Sequence, residues 1–186
     1  MSVHHRRRKQ PDHVRQQLLE VAARLSLDKG PAGVTLDAVS KEAGVSKGGL
    51  LHHFPNKLAL LDGLFDELMG RFDHVIAEAL DRDTERHGRF TRAYLSTVFD
   101  LQDGADEENW GMLTAALLAE PHLRLRWNGW VADRAAEHAE TDGSANCQLV
   151  RLAADGLWLA DLLKSHDIDM GTRAAIRDVL TDLSRK

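Results

Sequence analysis

Residues 35–57 read TLDAVSKEAGVSKGGLLHHFPNK, and the rest of the chain is organised around this stretch. Its first residue, Thr35, carries a hydroxyl that can accept a hydrogen bond from a free amide in the first turn of a helix. Apolar residues then recur at helical spacing, at Leu36, Val39 and Ala43. Gly44 ends this helix because glycine adopts the left-handed conformation without steric cost, and Val45 supplies an apolar contact. The stretch therefore begins with a short capped helix.

A second short helix follows at once. Ser46 can cap it, and its inward-facing residues are Leu50 and Phe54. The other positions carry little apolar side chain, and they are Lys47, Gly48, Gly49 and His53. The two consecutive glycines weaken an isolated helix by roughly 1 kcal/mol each. Their presence therefore suggests that another molecule comes close to the backbone. Two short helices joined by a glycine turn predict a helix-turn-helix, whose second helix lies in the major groove of DNA.

A third helix is expected directly afterwards. Pro55 ends the second helix, and Asn56 can cap the next one. Lys57 then lies at a positively polarised helix N-terminus, where a phosphate can be held.

This stretch resembles the DNA-binding signature of the TetR family of transcriptional repressors. The family has a Thr that opens one helix, Ala-Gly-Val-Ser in the turn, His-Phe at the end of the second helix and Asn-Lys two residues later. These features stand here at Thr35, 43–46, 53–54 and 56–57. The resemblance covers about the first third of the chain. Where the family usually has a Tyr that contacts the DNA backbone, this chain has Leu51.

The predicted partner of this stretch is a double-stranded DNA operator. Lys47 is expected to contact a base or the backbone, and the two glycines after it are expected to permit close approach. The hydroxyl of Thr35 and the side chains of His53 and Lys57 are expected to hold phosphates. The complete predicted DNA interface is Thr35, Ser46, Lys47, Gly48, Gly49, Leu51, His52, His53 and Lys57.

The net charge of −5 is distributed unevenly along the chain. Residues 1–57 hold 10 Lys and Arg against 5 Asp and Glu, a charge of +5, so residues 58–186 carry −10. A basic front and an acidic remainder are typical of a modular DNA-binding protein, because only one part must attract phosphates. The predicted division is a flexible basic arm over 1–10, a DNA-binding domain over 11–57 and a ligand-binding and dimerisation domain over 58–186. The arm adds phosphate or minor-groove contacts in one interpretation and is an inert solvated terminus in the other.

The remaining pattern predicts an all-α fold. A first helix begins at Pro11, and a long helix starts at Asn56 and continues to Leu80 as a lever between the two domains. Further helices are expected near 84–102, 106–119, 122–140, 145–165 and 172–184, and no alternating strand pattern interrupts them.

The last two helices indicate a homodimer. The helix near 145–165 is apolar on most of its circumference, so its own domain and a second surface must cover it. In the family it resembles, dimerisation uses the last two long helices; the alternative is that both stripes are monomer core. The predicted interface residues are Leu149, Leu152, Gly156, Leu157, Ala160, Leu163, Ile176, Val179, Leu180 and Leu183.

All four tryptophans lie after residue 58, and the resemblance implies a pocket there for a small, largely apolar effector. The alternative for the aromatic residues is that they are ordinary core residues at helical spacing. The alternative for Asp161 is that it pairs with Lys164 at the surface and binds no ligand. The predicted ligand residues are Met69, Phe72, Trp110, Leu113, Leu117, Trp127, Trp158 and Asp161.

Catalysis finds little support in the sequence. The ten histidines form no His-Glu-x-x-His motif, and neither a Gly-x-Ser-x-Gly motif nor a phosphate-cradling glycine loop is present. The single cysteine, Cys147, excludes an internal disulfide, and the four-cysteine and Cys/His spacings of zinc sites are missing as well, so no metal is expected. No cofactor is expected either. No apolar run reaches the roughly 20 residues of a membrane span, and the start resembles no secretory signal, so a cytoplasmic protein is expected.

The sequence thus predicts a ligand-responsive repressor that binds a pseudo-palindromic operator as a homodimer. The alternatives are a ligand-independent structural DNA-binding protein and an activator.

Overall fold

The computed structural model describes residues 3–101, 111, 114, 116, 117 and 119–186, without the side chains of 3–10, 27, 31, 32 and 101. Every regular element within these residues is a helix, which confirms the all-α prediction. The helices with described bounds are α1 (Val3–Gly33), α2 (Leu36–Glu42), α3 (Lys47–His53), α4 (Lys57–Arg82), α5 (Arg89–Leu101), α6 (Pro121–Glu137), α7 (Ala139–Asp142), α8 (Ala145–Leu162) and α9 (Met170–Leu183). Residues 111, 114, 116, 117 and 119 are also helical, and the rest of the helix predicted near 106–119 lies outside the described residues. Within the described ranges, no helix combines the length and apolarity needed to cross a bilayer.

The start of α1 differs from the prediction. The helix begins at Val3 and not at Pro11, so the basic run lies within it. A proline inside a helix removes one backbone hydrogen bond, and here that loss does not end the helix. Near its other end, Gly30 has φ 69° and ψ 171°, which breaks the helical geometry. The flexibility of the arm and its separation from the DNA-binding domain stay predictions.

The chain divides into two compact units. One comprises residues 1–69 and 108–124, and the other comprises 70–107 and 125–186. The divisions between them fall inside α4 and inside α6, and each of these helices contributes residues to both units. The functional boundary predicted after residue 57 stays a prediction.

In the first unit, one face of α1 packs against α2 and α3. Leu18, Leu19 and Ala22 are fully buried on this face, as on the inner side of an amphipathic helix. Gln17 donates a hydrogen bond of 2.9 Å from Nε2 to the carbonyl of Ala43, which fixes the C-terminal end of α2 against α1.

Gly63 brings α4 close to the end of α3. A Cβ atom at this position would lie 2.7 Å from Cε1 of Phe54, which is buried. The guanidinium of Arg15 covers the same ring at 5.3 Å from its centroid. Glycine weakens an isolated helix, but at Gly63 it is required by the close packing of α4 against Phe54.

The second unit is built around α5, which packs against α7, α8 and α9. Nearly every side chain from Phe90 to Phe99 is buried, so this helix lacks an exposed face along most of its length. Its buried polar groups are paired: the amide of Thr91 donates to Oδ1 of Asp142 at 2.7 Å, and the hydroxyl of Thr97 donates to the carbonyl of Ala93 at 2.8 Å.

The helix predicted over 84–102 begins at Arg89 because the preceding loop folds around the guanidinium of Arg92. That side chain donates to the carboxylate of Asp83 and to the carbonyls of Glu85 and His87, each at 2.7 Å. Gly88, with φ 70°, ends the loop, and a Cβ atom there would lie 2.1 Å from the carbonyl oxygen of Ser184. Glycine is therefore required both by the backbone and by the close approach of the C-terminal end of α9.

Candidate DNA interface and ligand cavity

The helix-turn-helix begins with the cap predicted from the sequence. Oγ1 of Thr35 accepts a 3.1 Å hydrogen bond from the amide of Ala38, and the backbone of Thr35 is extended. The residue is exposed, and accepting this bond leaves its hydroxyl proton free to be donated to another acceptor. Thr35 can therefore cap α2 and contact a phosphate at the same time.

The turn after α2 is a Schellman motif. Gly44 has φ 64°, its amide donates to the carbonyl of Lys41 at 3.2 Å, and the amide of Val45 donates to the carbonyl of Ser40 at 3.0 Å. These two bonds satisfy carbonyls that the end of a helix leaves without partners. The geometry fixes the direction in which the chain enters α3.

The second cap is also present, since Oγ of Ser46 accepts a 3.1 Å hydrogen bond from the amide of Gly49. Leu50 and Phe54 are buried, as predicted, and they attach α3 to the unit. The opposite side of α3 faces outward. Its exposed residues are Lys47, Gly48, Leu51 and His52, and its half-buried residues are Gly49 and His53.

The two glycines of α3 have different surroundings. A Cβ atom at Gly48 would meet no atom within 4 Å, so the described fold does not require glycine there. A Cβ atom at Gly49 would lie 3.1 Å from Cγ1 of Val45 and 3.2 Å from Oγ of Ser46. Gly49 therefore permits tight packing of α3 against its own cap, and only Gly48 leaves space toward the outside.

Lys47 forms an ion pair within the helix-turn-helix. Its Nζ lies 2.9 Å from Oδ1 of Asp37, and both side chains are largely exposed. The pair connects the first residue of α3 to the second residue of α2 and holds the amine at the outer surface. The sequence interpretation considered Lys47 alone and did not predict this partner.

The start of α4 follows the prediction. Oδ1 of Asn56 accepts a 2.8 Å hydrogen bond from the amide of Ala59, and Lys57 is the first residue of the helix. Lys57 is half-buried. Anions are favoured at such an end because the first amides of the helix and its dipole are positively polarised.

A cavity of about 210 Å³, partly open to the surface, lies in the second unit between α5, α6 and α8. Three aromatic rings, two arginines and one carboxylate face it. Its lining residues are Phe90, Tyr94, Trp130, Val131, Arg134, Ala135, Gln148, Arg151, Leu152 and Asp155.

The carboxylate of Asp155 accepts a short hydrogen bond from the hydroxyl of Tyr94. Burial raises the pKa of Asp155, while the Tyr94 bond and the nearby charge of Arg151 act in the opposite direction. Burial also raises the pKa of Tyr94 well above its usual value, and the charge of Asp155 adds to this effect. The tyrosine therefore remains the donor, and the carboxylate remains the acceptor.

None of the described ligand residues predicted from the sequence lines this cavity. Met69 and Leu117 are buried in the first unit. Phe72, Trp127 and Trp158 form an aromatic cluster in the second unit, with ring centroids of Phe72 and Trp127 6.4 Å apart and those of Trp127 and Trp158 6.1 Å apart.

Asp161 forms an ion pair of 2.8 Å with Arg173. It does not line the cavity, and its partner is not the Lys164 of the alternative interpretation. The backbone of Lys164 has φ 49° and has already left the helix, whereas α9 brings Arg173 alongside. Trp110 and Leu113 lie outside the described residues.

The sequence carried a signal for the cavity that its interpretation missed. Asp155 lies within the helix predicted to be apolar on most of its circumference, and Tyr94 is the only tyrosine in the sequence. A carboxylate inside an apolar run marks a site where a polar partner must be supplied. The partner comes from α5, which is distant in sequence.

The outer face of α8 is apolar and exposed. Leu149, Leu152 and Leu163 are 54%, 66% and 63% exposed, and Gly156 between them is exposed as well. On α9, Val179 is 66% exposed, while Ile176 and Leu183 are half-buried, as is Ala160 on α8. Leu157 and Leu180 differ from the other predicted interface residues, because both are buried within the protomer. They belong to the protomer core and are unavailable as main contacts of a partner.

Two family matches cover most of the chain. Residues 88–185 match the family described as tetracyclin repressor-like, C-terminal domain, and residues 18–64 match the bacterial regulatory proteins of the tetR family. The first match alone covers more than half of the chain. The chain belongs to the TetR family of transcriptional regulators. The family resemblance of residues 35–57 is thereby confirmed.

A curated relative of this TetR-family chain is similar over part of its length. The transcriptional repressor KstR2 of Rhodococcus jostii (strain RHA1) is 31% identical over 84 residues. The matched stretch covers 43% of this chain and 41% of KstR2, so the chain spans about two fifths of the length of this curated relative.

Solved structures of the family are similar over nearly the whole chain. A TetR family member from Streptomyces coelicolor A3 has a TM-score of 0.71 and 25% identity, over 91% of this chain and 97% of that one. The multidrug binding protein EbrR, complexed with malachite green, has a TM-score of 0.69 and 26% identity, over 91% of this chain and 96% of EbrR. Both likenesses therefore cover about nine tenths of this chain.

Proposed function

We propose that this TetR-family chain is a ligand-responsive transcriptional repressor that binds a pseudo-palindromic operator as a homodimer. The observation that carries the proposal is the presentation of α3. Its N-terminus and that of α2 are fixed by side-chain caps, it is attached by Leu50 and Phe54, and its outer side carries no large apolar residue except Leu51. A helix held in this way can enter a major groove with its N-terminal residues toward the base edges.

DNA would be recognised by few side chains. Lys47 is the cation at the start of α3, Gly48 leaves room for a close approach, and Thr35, His53 and Lys57 supply donors for phosphates. Because α3 offers so few groups to the bases, sequence preference would also depend on backbone contacts and on DNA shape.

The exposed apolar face of α8 and α9 supports the homodimer. Side chains such as Leu152, Leu163 and Val179 are each more than half exposed to water in the single chain. A second copy related by a two-fold axis would cover this face in a four-helix arrangement, with Gly156 allowing the helices to approach closely. In a dimer that reads a pseudo-palindromic operator, the two α3 helices would enter major grooves about one helical turn apart, or a small multiple of it.

The cavity supports response to a small effector over ligand-independent binding. KstR2 is a repressor by name, and the EbrR structure contains malachite green, which makes an effector-released repressor the function that we favour here. Full release requires the effector to favour the non-binding arrangement by roughly 5.5 kcal/mol, the difference that changes a 99:1 population to 1:99. A repressor of this kind acts in the cytoplasm, where its operator is located.

The proposal is tested by selecting bound duplexes from random DNA and measuring affinity for the selected sequence as a function of salt. Lys57→Ala should weaken binding and reduce the salt slope by about 1, because one phosphate contact is lost. Lys186→Ala removes the same charge at the other end of the chain and serves as the control. If no sequence is enriched, the repressor proposal is wrong, and an unchanged slope removes Lys57 from the phosphate contacts.

A further inference from the structure

Leu51 is an apolar residue on the otherwise polar outer side of α3. Among residues 47–53, all of which the structure describes, it is the one large apolar residue that stays exposed, at 38%. Leu50, the residue before it, is fully buried in the unit. Because more than half of Leu51 is covered by the protein, its exposed part is held close to the surface of the helix.

Open space lies beside Leu51. Gly48 precedes it by three residues in the same helix, and a Cβ atom at Gly48 would meet no atom within 4 Å. Side chains on a helix lean toward its N-terminus and cover the preceding turn. The side chain of Leu51 therefore covers the surface next to Gly48, where a groove that receives α3 can come close to the backbone.

The polar neighbours of Leu51 are engaged within the protein. Nζ of Lys47, four residues earlier, lies 2.9 Å from Oδ1 of Asp37 on α2. The ring of His52 packs edge-on against the ring of His53, with centroids 5.3 Å apart. In the free protein, these contacts hold the polar groups to either side and leave Leu51 as an apolar contact point.

The chemistry of leucine decides what this contact point can recognise on DNA. Its side chain neither donates nor accepts hydrogen bonds, and contact with a phosphate oxygen would displace water from that oxygen without replacing the hydrogen bond. It is stabilised only against apolar surface. In the major groove the base edges present donors, acceptors and one apolar group, the 5-methyl group of thymine.

We propose that Leu51 contacts the 5-methyl group of a thymine in each half-site of the operator and is a specificity-determining residue of α3. The assignment rests on the proposed function, because it names one base that the DNA interface prefers. An apolar contact of this kind adds sequence preference to a helix that offers few polar groups to the bases.

Replacing thymine by deoxyuridine tests the contact directly on the full chain. Uracil keeps the base pair and every major-groove acceptor of thymine and removes only the methyl group. In the operator selected from random DNA, each thymine is replaced at equivalent positions of the half-sites, and affinity is measured by fluorescence anisotropy at constant salt. One thymine of the half-site should cost about fourfold per methyl group, and roughly 15-fold when both half-sites are changed.

Substitutions at position 51 assign this penalty to Leu51. Leu51→Ala removes the methyl groups that would make the contact, so uracil and thymine should bind equally in this variant. Leu51→Met keeps a long apolar side chain and should keep most of the penalty. Lys57→Ala, at the start of α4, should weaken binding to every operator and leave the uracil penalty unchanged. Urea denaturation of Leu51→Ala verifies that the variant is folded.

The outcomes separate this proposal from the proposed function. If no thymine replacement weakens binding of the unsubstituted protein, or if the penalty is equal in Leu51→Ala, the proposal is overturned while operator binding stands. A loss in Leu51→Ala that is the same for thymine and uracil operators would also overturn it and would place Leu51 against the sugars of the backbone. If no sequence is enriched from random DNA, the proposed function and this assignment fail together.

Discussion

The amine of Lys47 lies 2.9 Å from the carboxylate of Asp37, so the first residue of α3 is held by an acidic residue of α2. An ion pair between two largely exposed side chains stabilises a protein by roughly 0–1 kcal/mol. A phosphate or a base edge can therefore displace Asp37 at small cost. The pair keeps the amine oriented in the free protein and must open or rearrange when Lys47 contacts DNA.

Asp37→Asn is expected to strengthen operator binding. The amide removes the competing charge, and loss of an interaction of up to about 1 kcal/mol corresponds to a gain of up to about fivefold in affinity. Fluorescence anisotropy with the selected operator measures this change. Asp28→Asn, exposed on α1, makes the same change in net charge and should have a smaller effect. Equal effects of the two substitutions would show that net charge alone is responsible.

The two glycines of α3 are expected to respond differently to alanine. Gly48→Ala fills open space, so it should stabilise the helix by roughly 0.5–1 kcal/mol but weaken operator binding if DNA approaches the backbone there. At Gly49 the new Cβ would lie 3.1 Å from Cγ1 of Val45 and 3.2 Å from the cap oxygen of Ser46, so Gly49→Ala should be less stable than Gly48→Ala. Urea denaturation and operator titration of both variants separate the two effects. Unchanged affinity of Gly48→Ala would show that DNA does not approach this position.

Gly63→Ala is expected to destabilise the first unit. The new Cβ would lie 2.7 Å from the ring of Phe54, and overpacking of a buried site costs about 1–3 kcal/mol. Gly70 lies two turns later in the same helix, where a Cβ would meet nothing within 4 Å, so Gly70→Ala should gain up to about 1 kcal/mol. Opposite shifts of the denaturation midpoint are the expected result. A stable Gly63→Ala would mean that α4 is not confined against Phe54.

Charge on the exposed apolar face is expected to abolish the dimer. Leu163→Glu combined with Val179→Glu places two carboxylates where a partner would cover them, and light scattering should then report monomers. Leu125→Glu, at a position 72% exposed on α6, is the matched control and should remain dimeric. Leu157→Glu is unsuitable, because that side chain lies in the protomer core and its loss would unfold the chain. A double variant that still dimerises would place the interface elsewhere.

The helix-turn-helix was predictable because its determinants are local. The caps of Thr35, Ser46 and Asn56 each bond an amide three residues further on, and Gly44 needs only its own backbone conformation. Interactions of this kind are specified by spacing within one turn of a helix. The different surroundings of Gly48 and Gly49 were not predicted, although the atoms close to Gly49 belong to Val45 and Ser46 of the same cap.

The sequence by itself determined that the chain is all-α, that residues 35–57 form a capped helix-turn-helix and that α8 is apolar around most of its circumference. Only the tertiary structure decided which side of α8 is core, at Val150, Ala154 and Leu157, and which side is exposed, at Leu149, Leu152 and Leu163. It also decided that Asp155 meets Tyr94 in a cavity, while Trp127 and Trp158, which were expected in a ligand pocket, pack against each other. The physical reason is that burial and pairing in this unit depend on helices distant in sequence, and no periodicity within one helix records which neighbour will cover it.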